Sequence, residues 1–175
     1  IVGQSIYNIM NFGAVPDGKT LNTNSIQAAI DACSKNGGGQ VLIPSGIFLT
    51  GTVELKSNVT LYLDVSAKLL GSPNYSTDFK SFPYHKFDSK STKKSFETRQ
   101  ALIYADKQNN IAIAGYGTID GNGDHKNYKS SNMFNGKAYG QRPFSVWFHE
   151  STNVKLHSIN VVNGAFWNVM MNACD

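Results

Sequence analysis

The segment "DGNGDH" sets Asp120, Asn122 and Asp124 on alternate positions, as a calcium-binding loop begins. The sixth position is His125 and the twelfth Ser131, where a turn glycine and a bidentate glutamate would have to stand, so no EF-hand is expected. "HESTN" at His149 lacks the second histidine of a zinc-protease helix, and "GYGTIDG" misplaces the third glycine of a dinucleotide fingerprint. Both read as strand and turn. Cys33 and Cys174 are too far apart to be read as a ligand pair or a disulfide framework, and buried thiols are expected at both. Arg142, just ahead of Pro143, carries a planar fork that fits either a carboxylate or the carbonyls of a loop. Lys86, Lys90, Lys93, Lys94 and Arg99 form a basic run, read first as a solvated face and second as an attraction for a polyanion. No two carboxylates stand out as an acid/base pair across a strand. No catalytic, cofactor-binding or metal-binding residue is assigned from these patterns.

The elements that would position these groups are mostly strands. Sixteen glycines against 16% charged residues, with tyrosine and phenylalanine common, point to short strands and tight turns. One helix stands out: in "TNSIQAAIDACSKNGGG" Ile26, Ala29, Ile30 and Cys33 recur at helical spacing, with Thr23 or Asn24 as the N-cap and Gly37 to Gly39 ending the run. Beyond it "QVLIPSGIFLTGTVELKSNVTLYLD" breaks into short apolar pieces separated by Pro-Ser-Gly and Ser-Asn. No stretch approaches the roughly 18 apolar residues that cross a bilayer, and "IVGQSIYNIM" lacks the layout of a signal peptide. A net charge of +4 fits a polyanionic partner but is too mild to choose among nucleic acid, a membrane surface and an acidic polysaccharide.

A repeat organises the strands. "SNVTL", "NNIAI" and "TNVKL" set Asn58, Asn110 and Asn153 in equivalent places, each followed by a second short aliphatic strand. Recurrent corner asparagines between short strands are what a right-handed parallel β-helix requires, so the fold class is all-β with an N-terminal capping helix. Residues 1–50 hold the cap and first strands, and residues 51–175 hold the rungs. The intervals between copies, 52 and 43 residues, exceed a rung of about 20 to 25 residues. Extra rungs or insertions must fill them, and the polar, aperiodic segments 72–98 and 124–141 read as large loops that wall a groove. After the Asn163-Gly164 turn comes the strand-like "FWNVMM", and "ACD" stands where the next corner is due. The chain is accordingly expected to be the N-terminal part of a longer solenoid, with self-association through its last rung.

"YNIMNFGAVPDGKTLNTNSIQAAIDACSKNGGGQVLIPSGIFLTG" resembles the N-terminal segment of pectin-degrading β-helix proteins. The continuation, "NNIAIAGYGTIDGNG" and "RPFSVWFHESTNVKLHSINVVNGAFWNVMM", is similar to glycoside hydrolase family 28, the polygalacturonases and their relatives. The resemblance implies inverting hydrolysis of galacturonosyl linkages without a cofactor, acting on an acidic polysaccharide rather than nucleic acid or a membrane, in a secreted or periplasmic protein. The family's catalytic aspartates lie in an Asn-Thr-Asp motif and an Asp-Asp pair, followed by His-Gly and Arg-x-Lys; none occurs here, so the acids are expected in rungs beyond Asp175. Two alternatives are a non-catalytic carbohydrate-binding solenoid and a β-helix lyase or phage depolymerase. The family has a similar Phe-Trp strand on its groove side, and Met170 stands where a histidine is often found. Strand alternation puts Trp167, Val169 and Met171 on one face and Asn168 and Met170 on the other; Trp167 is expected to pack in the core, and Asn168 and Met170 to line the groove. With Arg142, whose fork would suit a uronate carboxylate, Asn168 and Met170 are the candidate substrate-contacting residues. Asn58-Val-Thr60 and Asn74-Tyr-Ser76 are glycosylation sequons, relevant only in a eukaryotic source.

Overall fold

The computed structural model describes residues 5–84, 97–129 and 142–175. Strands β1 (Ile6–Asn8) and β2 (Asp17–Leu21) precede helix α1 (Thr23–Lys35). The first full turn is β3 (Gly39–Ile43), β4 (Gly46–Thr50) and β5 (Val53–Glu54). The second is β6 (Val59–Leu63), β7 (Ala67–Gly71) and β9 (Glu97–Asp106), with β8 (Ser81–Tyr84) inserted before β9. The third is β10 (Asn109–Gly115), β11 (Thr118–Asp120), a short helix α2 (Lys126–Lys129) and β12 (Phe144–His149). The fourth is β13 (Thr152–Leu156), β14 (Asn160–Val162) and β15 (Val169–Asn172). Corresponding strands pair in parallel into three sheets: β1-β3-β6-β10-β13 (sheet A), β2-β4-β7-β11-β14 (sheet B) and β5-β9-β12-β15 (sheet C). This is the right-handed parallel β-helix expected from the repeat.

Alternation decides what each strand buries. In β3, β6 and β7 every second residue is buried, and pairing in register stacks these residues into columns. Val41, Leu61, Ile113 and Leu156 form one column, Phe48, Leu69, Ile119 and Val161 a second, and Val53, Ile103, Val146 and Val169 a third. Helix α1 closes the N-terminal end of the stack, and Ile26, Ala29, Ile30 and Cys33 are all fully buried beneath it. Its N-cap is Asn22, where the sequence pointed to Thr23 or Asn24. The Asn22 side chain instead accepts from Val15 N at 2.6 Å and donates to Thr20 O at 2.7 Å, fixing the approach to the helix. Thr23 Oγ1 accepts from Gly51 N at 2.8 Å, which ties the helix start to the first turn. At the other end Gly38 sits at φ 104°, and a Cβ there would lie 2.3 Å from Asn58 O, so only glycine fits.

The asparagine corners stack as the repeat requires. Asn58, Asn110 and Asn153 adopt left-handed φ of 63°, 57° and 49°, a region asparagine tolerates better than other L residues. Asn110 Nδ2 donates to Asn58 Oδ1 at 3.1 Å and Asn153 Nδ2 to Asn110 Oδ1 at 3.0 Å. Each interval is therefore one turn lengthened by an insertion, not two rungs. Both insertions leave between a sheet B strand and a sheet C strand, at the same corner. The first is not wholly a loop: β8 pairs antiparallel with the start of β9 and lays Phe82 against sheet C. Arg99, read as part of a solvated run, lies in β9 and is 7% exposed. Lys86, Lys90, Lys93 and Lys94 lie outside the described residues. Cys33 is buried and Cys174 half-buried.

Candidate functional site

The outer face of sheet C carries a cluster of aromatic side chains beside a row of titratable ones. In β12 Val146 and Phe148 point into the stack, so Trp147 and His149 point out. Register then aligns Glu54, Tyr104, Trp147 and Met170 in one outward row, and Asp106, His149 and Asn172 in the next. With strands about 4.8 Å apart, the first row spans about 15 Å along the solenoid. Phe82 stacks on Tyr104 at 3.7 Å between centroids, Tyr104 meets Trp147 edge-on at 4.9 Å, and Trp147 meets Phe144 at 5.5 Å. These contacts leave Trp147 1% exposed, with Nε1 donating to Asn172 Oδ1 at 3.0 Å.

The polar row is held by a hydrogen bond between side chains, with charged groups around it. His149 Nδ1 lies 2.8 Å from Asp106 Oδ1; a carboxylate only accepts, so Nδ1 carries the proton. His149 Nε2 lies 3.7 Å from Glu150, whose other oxygen is 3.5 Å from Lys107. Lys80 pairs with Glu54 from the side of the β8 insertion. Burial pushes the Tyr104 phenol well above its ordinary value, and the carboxylates of Asp106, Glu54 and Glu150 push it further. Tyr104 is thus a neutral hydroxyl donor throughout the physiological range.

The corner between sheets B and C borders this face. Arg142 Nε donates to Ala165 O, and its NH1 group donates to Tyr128 O at 3.2 Å, which is the loop-carbonyl reading of this residue. Tyr128 in turn donates to Ser72 O at 2.7 Å, so Arg142 and Tyr128 tie the second, third and fourth turns together at this corner. Met170 lies opposite Trp147 in the outward row of sheet C. Asn168 is exposed at the corner just before β15, and its carbonyl accepts from Val146 N at 3.0 Å. Trp167 is not core. It is 51% exposed and stacks parallel on Phe166 at 5.2 Å, because β15 begins only at Val169 and alternation does not extend back to it.

Tyr104, Asp106 and Trp147, which dominate this face, were not singled out by sequence, and His149 was weighed there only against a zinc-protease motif that fails on spacing. Their strands, "ALIYAD" and "FSVWFH", are apolar on both faces, and only the register with neighbouring turns separates inside from outside.

The family model for glycosyl hydrolases family 28 matches residues 33–175. The chain belongs to that family. It is 41% identical over 122 residues to an exo-poly-alpha-D-galacturonosidase of Dickeya chrysanthemi, covering 67% of this chain and 20% of that protein. It is 31% identical over 168 residues to a probable polygalacturonase of Vitis vinifera, covering 93% of this chain and 33% of that protein. The solved family 28 exopolygalacturonase of Yersinia enterocolitica superposes with a TM-score of 0.81 at 32% identity, covering 98% of this chain and 37% of that one. This family member therefore spans a third or less of the length of the curated relatives it matches.

Proposed function

We propose that this family 28 chain forms the N-terminal part of a hydrolase that cleaves galacturonosyl linkages in pectic polysaccharide by inverting acid/base catalysis. The observation that carries the reading is the family match across residues 33–175, on a solenoid whose sheet C presents an outward row from Glu54 to Met170. The catalytic aspartates belong to the part of the relatives' length that this chain does not span. Inversion needs an acid on the leaving oxygen and a base on a water across the sugar ring, with carboxyl groups about 6.5–9.5 Å apart. Here the groove supplies distal binding and the route of the polymer, with Met170, Asn168 and Arg142 at or beside its fourth-turn edge. A substrate of polymer size places the protein outside the cytoplasm, secreted or periplasmic, and its partner is an acidic polysaccharide rather than nucleic acid or a membrane.

The test is reducing-sugar release from polygalacturonate by the 175-residue chain alone and by the chain joined to downstream rungs of the family. The reading expects no release from the first and release with inverted anomeric configuration from the second. Release by the 175 residues alone would overturn the assignment of the acids; retention of configuration in the longer protein would overturn the mechanism.

A further inference from the structure

At the N-terminal end of the sheet C face lies a cleft of 310 Å³, over the first and second turns. Tyr104 forms its floor, Phe82 and Pro83 one wall, and Glu54, Lys56 and Asp106 bring charge to it. Phe82 rests on the Tyr104 ring and Pro83 is exposed, so this wall is apolar and braced from behind. Tyr104 is 6% exposed, yet its hydroxyl makes no hydrogen bond among the described residues. Its oxygen is not sealed in, as Gln100 Oε1 and Ser145 Oγ are, so it opens onto the cleft. A nearly buried phenol placed this way offers a donor and an acceptor to a ligand.

Charges of both signs line the cleft. Glu54 engages Lys80 through Oε1 and Asp106 engages His149 through Oδ1, and among the described residues the second oxygen of each carboxylate makes no bond. Those oxygens are acceptors for hydroxyls. Lys56 is paired with Asp31 at 2.8 Å, but the two side chains are 45% and 48% exposed, and so solvated a pair holds weakly. Lys56 can therefore turn from Asp31 to an anionic ligand at small cost. A galacturonate residue carries the matching groups: ring hydroxyls, one carboxylate and an apolar C–H face.

We propose that this cleft is a distal subsite for one galacturonate residue of the polymer, with Tyr104, Glu54 and Asp106 taking its hydroxyls and Lys56 its carboxylate. Sugar hydroxyls donate to Glu54 Oε2 and Asp106 Oδ2, and one of them exchanges a hydrogen bond with Tyr104. Phe82 and Pro83 pack against the C–H face. Lys56 offsets the charge that a third carboxylate brings beside Glu54 and Asp106. The volume is at the lower end of the range of small-ligand sites and suits one ring. Tyr104 lies about 10 Å, two strand spacings, from Met170, so a polymer at the fourth-turn edge reaches the cleft along the same face. The identity of the sugar rests on the hydrolase reading, to which this adds a second point of hold.

The test titrates the 175-residue chain, dilute and at low salt, with digalacturonate and with its dimethyl ester, following amide shifts by NMR. Tyr104→Phe and Lys56→Gln are compared with wild type, and far-ultraviolet circular dichroism checks the fold of each. Both probes are expected to move the amides of Ala105 and Gln108, which line the cleft, and the acid to bind about threefold more tightly than the ester. Tyr104→Phe should weaken both probes by about fivefold, since each loses the same hydroxyl contact. Lys56→Gln should bring the acid down to the ester and leave the ester unchanged. No binding of either probe, shifts that leave Ala105 and Gln108 unmoved, or a wild type that prefers the ester would overturn the proposal. So would wild-type affinities in both variants. The readout needs no turnover, so binding without hydrolysis in the longer protein would sink the hydrolase reading alone, and hydrolysis without binding here would sink only the subsite.

Discussion

Replacing Ile30 tests whether α1 stabilises the solenoid as a cap. Ile30 is fully buried with Ile26, Ala29 and Cys33, on a helix that packs against the 3-10 turn at residues 9–12 and against β1, β3 and β5. Ile30→Ala removes that side chain from a site walled by rigid strands, where collapse is limited, and should cost about 3 kcal/mol. For a chain of this length each kcal/mol lowers Tm by about 2–4 °C, so the drop should be about 6–12 °C. Ile30→Asp should cost more, because it adds an unpaired buried carboxylate to the lost contacts. Its pH dependence has a fixed sign. Burial raises the folded-state pKa of the new carboxyl above its unfolded value near 3.9, so the folded state holds the proton longer. The extra loss is therefore smallest below about pH 4 and grows as pH rises through the raised folded value. Thermal melts by circular dichroism across that range measure both effects. An Ile30→Ala melt within about 2 °C of wild type, or an Ile30→Asp variant equally unstable at every pH, would refute the cap.

Asn110 both donates and accepts in the corner ladder while Asn153 donates only to Asn110, so Asn110→Ala should cost about 1–2 kcal/mol and more than Asn153→Ala, read by denaturant melts. Tyr104 and Tyr128 are both raised by burial, so their contribution to stability is full below about pH 10 and is lost as pH rises through their higher folded values; a near-ultraviolet titration should show two phenols ionising late, and Tyr104→Phe should remove one. Arg142→Ala should free α2 from Ala165 and speed amide exchange at Tyr128, leaving Val59 to Leu63 unchanged. Val169 and Met171 are 37% and 46% exposed although their row faces inward, so the 175-residue chain by itself should associate with rising concentration; light scattering that shows a monomer throughout would refute this.

What the sequence made legible was set by local chemistry. The corner asparagines announce themselves because a left-handed φ selects few residue types and the ladder needs an amide that both donates and accepts. The helix was equally plain, since 3.6-residue periodicity is contained within the segment itself, and all four of its apolar residues are buried. The N-cap was misplaced because Asn22 is chosen by partners outside the helix, Val15 and Leu49, which no local window contains.

The groove face was hidden for a related reason. A strand buried on its inner side and roofed by aromatics on its outer side shows no alternation, so "ALIYAD" and "FSVWFH" carry no mark of which residues point out. Pairing supplies the missing information: once Ile103 is set beside Val146, Tyr104 must face Trp147 and Asp106 must face His149. Trp167 shows the opposite error, a periodicity extended past the strand that justified it, into a corner where side-chain direction follows the turn. In a solenoid, then, residues that stabilise a corner or cap are readable one segment at a time. Residues that make a surface across turns become readable only when one turn is laid on the next, and that is where substrate-facing chemistry in this fold has to be sought.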